Sequence, residues 1–195
     1  MLYAAVLAGG LSSRMGQDKT SLRLSGESLL ERARRVLKEA GADTVLVSGK
    51  AEVPGGVPDL LAHCGPPGGL YSLLEHFAAR QALDASPLLL IPADMPKLSA
   101  ATLRILVAGA QGAQAAHFAD EVFPCLFNLT PELHAHLREL FREGRDLGGK
   151  RSMKAILRFC DARVLPTQGI AGDEFGNVNT PEDWALIEDG KQGGA

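Results

Sequence analysis

The strongest constraint on the fold is a short apolar run that ends on paired glycines. Leu2 to Leu7 carries no charge and reads as a strand buried on both faces of a parallel sheet. Ala8 follows, then Gly9 and Gly10, Ser12, Ser13, Arg14, a third glycine at Gly16, and Lys19. Glycines after a strand let the backbone come close to a ligand. Successive free N–H groups in such a turn form a concavity for an anion. Arg14 adds a fork of donors and Lys19 a compact charge, a set that suits a nucleoside triphosphate. The alternative, a plain Gly/Ser turn, gives the two cations beside the glycines no task.

Two common phosphate loops do not fit. The P-loop needs Gly-Lys directly after its four-residue spacer, whereas Gln17 and Asp18 separate Gly16 from Lys19. The dinucleotide fingerprint needs a residue between its first two glycines, and Gly9 and Gly10 are adjacent.

Beyond residue 20, strand and helix alternate. Glu27 to Ala40 has its apolar residues at helical spacing and stops at Gly41, with its arginines on a solvated face. Thr44 to Ser48 is a strand. Residues 49–69 are rich in glycine and proline and read as a long functional loop. That loop contains Asp59, and Gly65-Pro-Pro-Gly-Gly69 opens a helix over 70–83. Asp59 is either a nucleotide contact or a turn former. Leu88 to Ile91 is a buried strand, and Asp94 lies just past its carboxyl end, where open α/β sheets bind ligands. A lone carboxylate there suits Mg²⁺, which takes its remaining ligands from water and phosphate oxygens. Ser99 is the better cap for the helix over 100–110, which leaves Asp94 free of that role.

The second half predicts a hairpin, 114–119 and 122–127, turned at Asp120-Glu121, with Pro124 marking an edge or bulge. Helices follow over 130–141, capped by Thr130-Pro131, and over 152–159, with a strand at 163–165. The glycine-rich, cationic stretch 144–151 is either a second anion site or a connector. Asn177 and Asn179 alternate in an extended segment and share a face, two amides for either an acceptor or the metal; Thr180-Pro-Glu-Asp183 then caps a last helix. The alternation implies βαβ units and a mostly parallel, three-layer α/β/α sheet with an antiparallel hairpin addition. A length of 195 residues implies one domain over 1–190, with 191–195 a disordered tail.

Net charge −3 and a pI near 6.0 offer no basic surplus for nucleic acid. No stretch suits a signal peptide or a membrane span. Cys64, Cys125 and Cys160 are widely spaced and read as reduced thiols of a cytoplasmic protein. His63-Cys64 and the pair His134 and His136 lack metal-ligand spacing.

Leu7-Ala-Gly-Gly-Leu-Ser-Ser-Arg-Met-Gly-Gln-Asp-Lys19, Gly65 to Leu70, Asp94-Met-Pro96 and Asn177-Val-Asn-Thr-Pro-Glu-Asp183 together resemble the molybdenum cofactor guanylyltransferase family. That family belongs to the nucleotidyltransferase superfamily with a Rossmann-like fold. Pro67 departs from its pattern, which has an apolar residue other than proline there. The resemblance implies nucleotide binding by Leu7, Ala8, Gly9, Gly10, Lys19, Asp59, Gly65, Gly69 and Asp94. It implies catalytic roles for Arg14, Lys19 and Asp94, Mg²⁺ on Asp94, and the acceptor on Asn177 and Asn179. It implies GTP and molybdopterin as substrates, and proteins that carry or receive the cofactor as partners. The acceptor phosphate is already an anion, so attack on the α-phosphorus of GTP needs no general base. From the residues alone, a transferase using CTP or a sugar phosphate stays open, as does a non-catalytic nucleotide-binding homologue.

Overall fold

The computed structural model describes residues 1–9, 22–24, 26–142, 151–178 and 183. Two short strands, β2 (Arg23–Leu24) and β3 (Glu27–Ser28), form a small antiparallel pair. The main sheet contains β1 (Tyr3–Leu7), β4 (Thr44–Ser48), β5 (Gly56–Val57), β6 (Pro87–Pro92), β7 (Ala115–Phe118), β8 (Cys125–Asn128) and β9 (Arg163–Leu165). Their order is β5-β4-β1-β6-β8-β7-β9. β8 pairs antiparallel with both β6 and β7, while the other pairings are parallel.

Helices cover both faces. α1 (Leu29–Glu39) and α3 (Ala100–Gly109) lie on one, over a core that includes Val6, Leu37, Leu89, Leu103 and Phe118. α2 (Gly65–Ala78), α4 (Pro131–Leu140) and α5 (Met153–Phe159) lie on the other, over Leu70, Leu74, Leu90, Phe127 and Ile156. The central strands bury residues towards both faces, which explains why Leu88 to Ile91 reads as one unbroken apolar run.

Several boundaries differ from the sequence reading, each for a local reason. α1 begins at Leu29, because Ser28 accepts from Glu31 N–H while the Glu31 carboxylate accepts from Ser28 N–H, a reciprocal cap. α2 begins at Gly65, five residues before the expected Leu70. Pro66 and Pro67 sit in its first turn, where no backbone donor is required. α2 also ends earlier than expected, and the chain leaves it through Gln81 at φ +55°. The loop over 49–69 contains β5, which returns the chain alongside β4. The β7–β8 connection spans 119–124 rather than two residues, and Pro124 precedes an inner strand rather than an edge. Thr130 and Ser99 each accept from a first-turn amide, as expected of caps; Ser152 does the same, so α5 begins at Met153 rather than at Ser152.

Candidate functional site

The connection after β1 leads to α1 on one face of the sheet, and the connection after β4 leads to α2 on the other. The carboxyl ends of these neighbouring strands therefore open a crevice at a topological switch point, the usual ligand position in such sheets. The strands are in register there. Leu7 stands beside Ser48 on one side and Pro92 on the other. Ala8 N–H donates to the Ser48 carbonyl at 3.0 Å, and Ala93 N–H donates to the Leu7 carbonyl at 3.2 Å.

Leu7, Gly9, Ser48, Asp59, Gly65, Pro66 and Gly69 line the crevice. Its narrowness depends on missing side chains. A Cβ on Gly9 would collide with the Asp59 carboxylate. Gly49, at φ +85°, lies so close to Gly9 that a Cβ there would meet the Gly9 backbone. A Cβ on Gly69 would stand 2.9 Å from Ser48 Oγ and 3.1 Å from a Leu7 methyl.

Asp59 arrives by way of β5: Gly49 N–H donates to the Val57 carbonyl at 2.8 Å, closing the return, and Asp59 follows two residues later. The loop is then pinned to α2, since Leu60 N–H donates to Ser72 Oγ, which itself donates to the Gly68 carbonyl. Ser48 Oγ donates to Asp59 Oδ1 at 3.2 Å. Packing against the crevice wall pushes the Asp59 carboxyl above its ordinary value, and the Ser48 hydroxyl pulls the other way. The side chain keeps an open edge to solvent, so this carboxylate can still accept from an amide or hydroxyl of a ligand.

Asp94 stands two residues beyond β6, next to the end of β1. Its backbone carbonyl accepts from Val178 N–H at 2.8 Å, which brings Asn177 to the same turn. The Asp94 turn and the segment that carries Asn177 thus meet, although the two residues stand 83 positions apart in sequence. Arg32 reaches the same turn from α1, with Nε donating to the Pro96 carbonyl, a role the sequence reading did not give it. Gly10, Arg14, Lys19, Asn179, the stretch 144–150, the last helix apart from Asp183, and the tail 191–195 lie outside the described residues.

Ser48 was absent from the expected set. Its signal was position: the last residue of a strand beside β1, polar yet almost fully buried. The histidines have other surroundings. His134 Nε2 is 3.0 Å from Glu75 Oε1, and His136 stacks on Phe159 at 3.6 Å. Burial raises the thiols of Cys125 and Cys160, the latter to about 11. A roomier cleft of about 420 Å³ lies near the far sheet edge, between α5 and the β7–β8 turn. None of the described motif residues line it.

A model of the MobA-like NTP transferase domain matches residues 4–164. The chain belongs to this family. A molybdenum cofactor guanylyltransferase from Xanthomonas euvesicatoria is 38% identical, over 93% of this chain and 92% of the relative. Another so named, from Rhizobium meliloti, is 33% identical over 95% and 89%. The crystal structure of molybdopterin-guanine dinucleotide biosynthesis protein A from Archaeoglobus fulgidus shares the fold, with TM-score 0.70 and 20% identity over 99% of this chain and all of that one. Membership of this family makes the chain a nucleotidyltransferase. No helix among the described residues is long and apolar enough to cross a membrane.

Proposed function

We propose that the chain transfers GMP from GTP to molybdopterin, forming molybdopterin guanine dinucleotide and releasing pyrophosphate, in the cytoplasm. The observation that carries this reading is the convergence of Gly9, Ser48-Asp59, Gly69 and the Asp94 turn at the carboxyl ends of three adjacent strands. The guanylyltransferase names of relatives that align over nearly the whole chain support guanine as the base and the molybdenum cofactor as the acceptor.

In this reading the nucleoside lies in the crevice. Asp59 accepts from its polar edge, while Gly9, Gly65 and Gly69 let it lie against backbone. Arg14, Lys19 and the amides after β1 hold the triphosphate and stabilise the departing pyrophosphate. An oxygen of the acceptor phosphate bonds to the α-phosphorus, and the bond to the β-phosphate oxygen breaks in line. Asn177 and Asn179 orient the acceptor. The work of these residues is placement and charge neutralisation. The Asp94 carboxylate at the strand end is a hard oxygen donor of the type Mg²⁺ takes, with room in its shell for phosphate oxygens and water. Mg²⁺ bound there would neutralise phosphate charge.

Thermal unfolding with each of the four nucleoside triphosphates, with and without Mg²⁺, tests this. A ligand that binds only the folded chain raises its melting temperature by mass action. GTP alone should do so, and more with Mg²⁺. A shift with CTP in place of GTP would favour a cytidylyltransferase instead.

A further inference from the structure

The segment that ends in Asn177 clasps the Asp94 turn at both ends. Val178 N–H donates to the Asp94 carbonyl at 2.8 Å. At the other end, Glu174 Oε2 accepts from Ser99 N–H at 3.0 Å and from the Thr102 hydroxyl at 2.6 Å. Between them, Lys97 Nζ and Asp173 Oδ2 are 3.0 Å apart. Phe175 is buried beside Phe118, with ring centres 5.4 Å apart. A short 3₁₀ turn over Gly172–Phe175 carries Asp173, Glu174 and Phe175, and Val178 follows it.

They do different things. Phe175 sets the depth of the segment, but an apolar contact is weakly directional. The Lys97–Asp173 pair is exposed and contributes little. Glu174 makes two charge-assisted hydrogen bonds, which are short and directional. It makes them at the first turn of α3, where the helix dipole favours a carboxylate. Ser99 already caps that helix through Thr102 N–H, so the helix can start without Glu174. What Glu174 adds is register between two stretches far apart in sequence.

We propose that Glu174 is a positioning residue for the transfer reaction, holding the segment that carries Asn177 in register with Asp94. This rests on the roles given to Asp94 and Asn177 under Proposed function. Glu174 touches no substrate in this account. From a position three residues before Asn177, it acts through Ser99 and Thr102.

The test compares the full native chain with Glu174→Ala and Glu174→Gln. Glutamine keeps an oxygen that can accept from both donors. Three quantities are read: kcat for dinucleotide formation, GTP affinity without divalent metal, and hydrogen exchange of the Val178 amide by NMR. Glu174→Ala should lower kcat roughly 10–100-fold, the usual cost of losing an outer supporting partner. GTP affinity should stay within about twofold, because a lost positioning contact shows in kcat rather than in ground-state binding. Val178 exchange should accelerate, and Glu174→Gln should recover most of both losses. The proposal is overturned if Glu174→Ala keeps native kcat, if GTP affinity falls in step with kcat, if Val178 exchange is unchanged, or if glutamine rescues no better than alanine. Should the native chain form no dinucleotide, the functional reading fails separately, and Val178 exchange still decides whether Glu174 sets the register.

Discussion

Ser48 Oγ donates to Asp59 Oδ1 at 3.2 Å while the other Asp59 oxygen packs on Gly9. One carboxylate is thus wedged between the ends of β1 and β4. Gly9 and Gly49 share that crowding but meet different neighbours. A methyl on Gly9 meets a side-chain oxygen that can swing aside, whereas a methyl on Gly49 meets backbone at a positive φ. Gly9→Ala should leave the denaturant midpoint close to native and weaken GTP binding about tenfold, equal to about 1.4 kcal/mol. Gly49→Ala should destabilise the fold by at least about 2 kcal/mol, from left-handed strain plus the clash. Urea unfolding and GTP titration of both variants check this.

Asp59 should trade stability for binding. Its carboxyl is held above the ordinary value of 3.8 by burial. Between 3.8 and that raised value the folded chain holds the proton more tightly than the unfolded one, so stability falls as pH rises through the window. The ionised carboxylate present at neutral pH is therefore a cost to the fold. Asp59→Asn, which still accepts from Ser48, should melt at a higher temperature at neutral pH and bind GTP more weakly. The melting advantage should shrink as pH falls through the window. A variant that melts lower than native at neutral pH would contradict the assignment.

Asp94→Ala should abolish turnover and keep the backbone bond to Val178, because that bond uses the Asp94 carbonyl. The extra stabilisation by Mg²⁺ with GTP should vanish. Near-native turnover would remove the metal role.

Ser28→Ala removes one half of the reciprocal cap on α1. A loss of about 1 kcal/mol is expected, read by urea unfolding, with kcat unchanged.

The parallel core was legible because its strands are buried on both faces: Val6, Leu46 and Leu88 to Ile91 have no polar alternation to confuse with a surface strand. The caps at Ser99 and Thr130 were legible because their signal is local. The start of α2 was not, since Pro66, Pro67, Gly68 and Gly69 read as loop. The prolines fit a first turn, and glycine stands at 69 because Ser48 and Leu7 press too closely for a side chain. The places of Gly9 and Asp94 just after strands were legible from the apolar runs before them. Ser48 and Glu174 were not, because their partners, Asp59 and Thr102, are brought to them by pairing and docking that no short window of sequence contains. The antiparallel β7–β8 hairpin was legible and is present; the place of β8 between β6 and β7 was not. The order of strands depends on which edges meet, and that is a property of the assembled sheet.

The central claim is tested most directly by supplying the native chain with molybdopterin, Mg²⁺ and either GTP or CTP, and measuring dinucleotide and pyrophosphate together. Equal amounts of molybdopterin guanine dinucleotide and pyrophosphate from GTP, with little product from CTP, is the expected result. Product from CTP in preference to GTP, or none from either, would contradict the account.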